Sequence, residues 1–286
     1  MGSGGMSSRL SRGSVSFGGS TTTTPQAPAP QPQQPQQQQQ NIANQTPNAQ
    51  NTPVNNQALD NLSKMNDAQL AALARQAQGI QMPNNLMDYK DPTQEFAFAA
   101  GLNAKPVVLD DASFKQYMQD NNMDSSDLLS RDVNPVSFTV NGVRFNYTAD
   151  DVIDMMKYSR INYIGGKVGG QAFGAGTYFD HTGGRSTGYG HGSSKTAVAV
   201  LNPQTVKAIN WNNLQTKASQ FASSHPQFAR VVGQPSRGRG GNMSIYALAM
   251  GYNVITESSR GKGFGGSGDY VNVIDRSALV YRKSNN

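Results

Sequence analysis

Four short stretches of the 286-residue chain carry residue types from which a reactive site could be assembled. The first is Ser126-Asp127-Leu128-Leu129-Ser130-Arg131-Asp132-Val133, an apolar pair shortly before an arginine. The second is Phe173-Gly174-Ala175-Gly176-Thr177-Tyr178-Phe179-Asp180. The third is Arg185-Ser186-Thr187-Gly188-Tyr189-Gly190. The fourth is Gly268-Asp269-Tyr270-Val271-Asn272-Val273-Ile274-Asp275, where one acid introduces an apolar strand after a glycine-rich run. Together they suit an anionic ligand with an aromatic head. A guanidinium grips a pyrophosphate or ribose in fork geometry. Small residues let backbone N–H and C=O groups pair with a carboxamide, and a tyrosine supplies a stacking face. A carboxylate at a loop–strand junction can hold a sugar hydroxyl and stabilise the positive charge that develops when a glycosidic bond breaks.

Those stretches need a scaffold, and hydrophobic periodicity supplies one from Tyr89 onward. The pattern predicts a helix over 112–121 capped by Asp110 or Asp111. It predicts a hairpin of 136–140 and 143–147 around Asn141-Gly142, the pair that a type I′ turn favours. A helix follows from Thr148 through Met156, with Asp151 completing a capping box. Strands are expected at 196–201, 253–256, 270–274 and 279–282, and helices at 213–223 and 243–250, the last ended by Gly251. Short strands mixed with irregularly placed short helices indicate an α+β fold rather than a regular βαβ array.

Upstream, the chain changes character. From Gly13 to Leu59 there is no Asp, Glu, Lys, Arg or His, and residues 25–57 hold seven of the 14 prolines. Such a segment cannot bury enough apolar area to offset the entropy of ordering, so residues 1–57 read as a disordered Gln/Pro/Asn-rich tail. Residues 58–88 read as an amphipathic helix and linker, the helix running from Asp67 to Ala77 behind Asn66 as cap. The globular domain is expected over 89–286.

Composition removes several function classes. The absence of cysteine excludes disulfide scaffolds, thiol nucleophiles and sulfur-ligated metals, and three histidines leave little for a His-rich metal centre. No apolar run is long enough for a membrane span, and the N-terminus lacks the apolar core of a secretory signal. The net charge is +6; the last sixty residues contribute eight Lys/Arg against Glu257, Asp269 and Asp275. Nucleic acid bound through the basic loops is a partner that this charge permits but does not favour.

The order and spacing of the four stretches resemble the ADP-ribosyltransferase superfamily. Gly174-Ala-Gly176-Thr-Tyr178-Phe179 followed by Ser186-x-x-Tyr189 is similar to that family's NAD-binding core. Asp269-Tyr-Val-Asn-Val-Ile resembles its closing strand, and Gly251-Tyr-Asn-Val-Ile resembles a stretch of phage-encoded and toxin-like members. The resemblance covers residues 100–282. It implies an α+β, split-sheet transferase core with short helices. The implied reaction takes NAD as substrate, without a metal, and transfers ADP-ribose to a host or particle protein; water as acceptor would make it a glycohydrolase. Position by position, it implies Arg131 as the NAD-gripping and catalytic arginine. Gly176 and Thr177 would stand beside the pocket, Ser186 on the carboxamide, Tyr189 on the nicotinamide ring and Asp269 as the catalytic acid. It further implies a protein of the virion or the host cytoplasm. The sequence departs from the family in three places. Asp132 stands where glycine usually follows the arginine, Asp269 stands where the family places Glu, and no Glu-x-Glu or Gln-x-Glu pair precedes the last strands. An acid one methylene shorter matters, because about 1 Å of displacement can cost about 10²-fold in rate. The Asp-for-Glu position and the missing second acidic residue favour the alternative expectation, a non-catalytic structural or binding module of a phage particle on a degenerate transferase fold. Glu257 is the nearest glutamate that could serve from a neighbouring strand end.

Overall fold

Local signals decide where the elements begin. Asn66 and Gln69 cap each other reciprocally at the start of a helix, with Asn66 Oδ1 accepting from Gln69 N at 3.0 Å and Gln69 Oε1 accepting from Asn66 N at 2.9 Å. Asp110 accepts from Ser113 N at 2.8 Å. Thr148 N donates to Asp151 Oδ2 at 2.8 Å while Asp151 N donates to Thr148 Oγ1 at 3.2 Å. In the computed structural model these caps open helices Asp67–Gln78 (α2), Asp111–Asp120 (α4) and Ala149–Tyr158 (α5). The described residues are 51–79, 92–102, 105–140, 142–158, 175–181, 183–186, 188, 190, 192–237, 241–257 and 270–283. All belong to one compact unit, Thr46–Asn286.

The other helices are Asn51–Lys64 (α1), Pro92–Ala99 (α3), Trp211–Ser224 (α6), Pro226–Val232 (α7) and Met243–Ala249 (α8). Eight strands form one mixed sheet: Val107–Leu109 (β1), Leu129–Val133 (β2), Thr177–Asp180 (β5), Lys195–Leu201 (β6), Ala208–Asn210 (β7), Val254–Thr256 (β8), Tyr270–Val273 (β9) and Leu279–Arg282 (β10). Their order is β1-β10-β6-β2-β5-β9-β8-β7; β1 runs parallel to β10 and β7 to β8, and the other pairs are antiparallel. Val136–Val140 (β3) and Val143–Tyr147 (β4) pair separately as the expected hairpin, with Gly142 at φ 79° in its turn. The α+β reading therefore holds.

Alternation along the strands gives the sheet two different faces. One face, with Leu129, Phe179, Ala197, Ala199, Val271 and Tyr281, is covered by Val152, Ile153 and Met156 of α5. On the other, Ile209, Ile255 and Ile274 pack under α1–α3 and α6–α8, and Val200 and Val280 pack with Phe114 of α4.

The N-terminal boundary differs from the sequence expectation. Of the tail assigned to 1–57, residues 1–50 lie outside the described residues, whereas 51–57 form the first turns of α1. The stretch 58–88 was expected to precede the globular domain as helix and linker. Instead Leu59, Leu62, Leu70, Ala74 and Ala77 are buried in the same cluster as Phe96, Phe228 and Tyr246. The apolar residues of α1 and α2 are too widely spaced to look like core in a segment this polar, but the helical period gathers them on one side. Among the described residues, no helix is long and apolar enough to cross a membrane.

Candidate active site

Three of the four stretches identified in the sequence become neighbours in the sheet. Arg131 lies on β2, Thr177 opens β5, and β9 begins at Tyr270, the residue after Asp269. Asp180 of β5 faces Ser130 on one side and Tyr270 on the other. The β2–β5 contact is that single pair, whereas β2 pairs with β6 through five consecutive residues. The sheet is thus narrowest between β2 and β5, and the Arg131 side chain reaches across, Nη1 donating to Tyr178 O at 2.9 Å.

Asp132 projects from the opposite face of β2, because successive strand residues alternate. It is 9% exposed and gathers the loop after β5. Ser186 Oγ donates to Asp132 Oδ2 at 2.6 Å, Gly190 N donates to the same oxygen at 3.2 Å, and Thr196 Oγ1 donates to Oδ1 at 2.8 Å. Gly190 suits this approach because a Cβ there would stand 2.1 Å from Ser194 Oγ. Ser186 also accepts from Gly188 N at 3.2 Å, so its oxygen, already a donor to Asp132, keeps one acceptor lone pair.

Gly176 precedes β5 with φ 155°, and a Cβ there would fall 1.9 Å from Asn272 Oδ1. Its predecessor Ala175 is fixed by its carbonyl, which accepts from Ser244 Oγ at 2.5 Å and Asn272 Nδ2 at 3.3 Å. Thr177 Oγ1, Ser130 Oγ, Asn272 Oδ1 and Tyr281 Oη are buried with no hydrogen-bond partner among the described residues. Burial pushes the Tyr281 hydroxyl up to about 12, against the pull of the Arg276 and Arg131 guanidiniums. Arg276, itself buried, donates from Nη1 to Met156 O at 2.8 Å and Met155 O at 3.3 Å and so caps the end of α5. Burial lowers its guanidinium to about 10.

At the start of β9, Tyr270 N donates to Glu257 Oε2 at 3.2 Å and Glu257 N donates to Tyr270 O at 3.0 Å. This places an exposed carboxylate beside the residue that follows Asp269.

The described residues thus bring Arg131, Gly176, Thr177 and Ser186 onto adjoining elements, but not onto one wall. Arg131 and the Asp132–Ser186 pair stand on opposite sides of β2. Tyr189 and Asp269 lie outside the described residues; Gly190, bonded to Asp132, and Tyr270, bonded to Glu257, are their described neighbours. In the sequence Asp132 reads as a departure from glycine or a partner for Arg131, not as the anchor of a distant loop. Its role in holding the loop depends on Gly190 and Thr196, partners 58 and 64 residues away. Comparison with protein-family models, curated proteins and solved structures finds no match.

Proposed function

We propose that the chain is an NAD-dependent ADP-ribosyltransferase acting on a protein side chain. The observation that supports this most is convergence. Three stretches spread over residues 129–273 lie side by side as β2, β5 and β9, and the loop between β5 and β6 returns Ser186 to β2. A sequence likeness without functional content would not require that adjacency.

In this reading Arg131 grips the dinucleotide at the β2–β5 junction. Ser186, committed as donor to Asp132, accepts from the carboxamide N–H. Tyr189 stacks on the nicotinamide ring. The unpartnered Thr177 hydroxyl, beside Gly176, is a buried group that a ligand would satisfy. Asp269 stabilises the positive charge that develops on the ribose as its bond to the nicotinamide nitrogen lengthens. Nicotinamide leaves with the bonding electrons, the acceptor's nucleophilic atom forms the new bond to the anomeric carbon, and the acceptor's proton is released.

One observation favours a second reading, a non-catalytic binding or structural module. Asp132 occupies the position of a small residue and is held by three donors, and Arg131 already donates to Tyr178 O. Incubation of the full chain with labelled NAD and cell extract separates the two. Nicotinamide release or label transfer that is lost in Arg131→Ala and Asp269→Ala supports the transferase. No release, with no NAD binding by calorimetry at millimolar ligand, leaves the module. The full chain is required, since cutting near residue 85 would strip α1 and α2 from the core.

A further inference from the structure

Away from that site, the charge distribution isolates another surface. Residues 181–256 contain no Asp or Glu and seven Lys/Arg. Two of these cations find acids elsewhere: Lys195 pairs with Asp150 at 2.7 Å, and Lys207 pairs with Asp60. Two others rest on aromatic rings. The Arg237 guanidinium lies 5.9 Å from the Trp211 ring centroid, and its Nη2 donates to Gln215 Oε1 at 2.8 Å. Lys217 Nζ lies 5.6 Å from the Tyr252 centroid and donates to Tyr252 Oη at 3.2 Å. Both cations are exposed and both rings half-buried, so the charges are oriented by a neutral partner and not neutralised.

Trp211 and Gln215, one turn apart, share one flank of α6, and Lys217 leaves the other. Between them runs an exposed crest of Asn212, Asn213 and Thr216 without a charge of either sign. The two cations therefore bracket a neutral polar ridge about 10 Å across.

We infer that this face of α6 binds single-stranded nucleic acid. A base stacks on the exposed Arg237 guanidinium, which Trp211 and Gln215 hold in place, a contact that tolerates any base. Lys217 meets a phosphate on the far flank, and the amides of the crest bond to sugar or base edges as the strand crosses. A carboxylate-rich peptide could pair with the edges of the same two cations but has no aromatic face to cover the Arg237 guanidinium beside Trp211, and that face favours nucleic acid. This surface is independent of the NAD reading; neither stands or falls with the other.

Trp211 is the only tryptophan in the chain, which makes the test direct. Titrating the full protein with oligo(dT) of about twenty nucleotides should quench its emission and raise the anisotropy of the labelled oligonucleotide at 50 mM salt. One phosphate contact predicts an affinity about threefold weaker at 200 mM salt. Arg237→Gln and Lys217→Gln, both at exposed positions, should each weaken binding several-fold, and Trp211→Ala should weaken it by about fivefold or more. Circular dichroism of each variant checks that it is folded. No quenching and no anisotropy change at low salt would overturn the proposal. So would binding unaltered in folded Arg237→Gln and Lys217→Gln, or displacement of the oligonucleotide by polyglutamate at equal charge concentration.

Discussion

Two regions of the molecule are built to different standards. On the helical side, Phe228, Tyr246, Phe221 and Phe96 pack in tilted or edge-to-face pairs with centroids 5.4–6.3 Å apart. Polar atoms beside those rings are bonded: Tyr246 Oη donates to Gly233 O at 2.8 Å, and Asn242 Nδ2 donates to Val232, Gly233 and Gln234 carbonyls. Around β2, β5 and β10 the sheet buries Ser130, Thr177 and Tyr281 with hydroxyls that find no partner among the described residues. An unsatisfied buried hydroxyl costs about 1–3 kcal/mol. The ring cluster meets its hydroxyl and amide donors with carbonyls, whereas three hydroxyls around β2, β5 and β10 are desolvated without that return.

The largest expected effect falls on the ring cluster. Phe228→Ala, at a fully buried ring, should cost about 3–5 kcal/mol, read as a drop in the urea midpoint. Alkaline titration comes next. Tyr281 ionises near 10 when unfolded but only at about 12 when folded, so its contribution is complete below pH 10 and lost as pH rises toward 12. Thermal melts should weaken across that window, less steeply in Tyr281→Phe.

A hydroxyl exchange sets the two regions against each other more finely. Tyr246→Phe deletes a made bond and should cost about 1 kcal/mol, whereas Thr177→Val deletes an unmade one and should stabilise by about 1 kcal/mol. In nicotinamide-release assays the same Thr177→Val should lose activity. Stabilisation of both variants would erase the distinction between the two regions. The smallest effect is acidic. Asp110 and Asp151 are held below their ordinary 3.8 by hydrogen bonds from Ser113 and Thr148. The support they give α4 and α5 is present above pH 3.8 and fades as pH falls through their lowered values. Far-UV dichroism below pH 4 should show a modest helix loss, absent in Asp110→Asn and Asp151→Asn.

What could be read from the residues depended on range. Caps and turns act within four residues, so Asn66, Asp110, Thr148 and the Asn141-Gly142 hairpin were legible along with most strands. The three-residue strands β1 and β7 and the short helix α7 offered too little periodicity. α1 was hidden because it lies in a stretch whose composition reads as tail, and its burial is supplied by Phe96, Phe228 and α8 much later in the chain. The candidate site divides the same way. Arg131, Gly176, Thr177 and Ser186 were visible as types and spacing. Asp132 as the organiser of the loop was not, since its three donors come from one strand and one loop more than fifty residues downstream.

Nicotinamide release from NAD by the full chain, beside Arg131→Ala, is the measurement that bears most directly on the region around β2 and β5. A steady release that falls by about 10²-fold or more in the variant is the result expected if the β2–β5 junction holds the dinucleotide. Release absent from the parent, or equal in the variant, would contradict a transferase assembled from these strands.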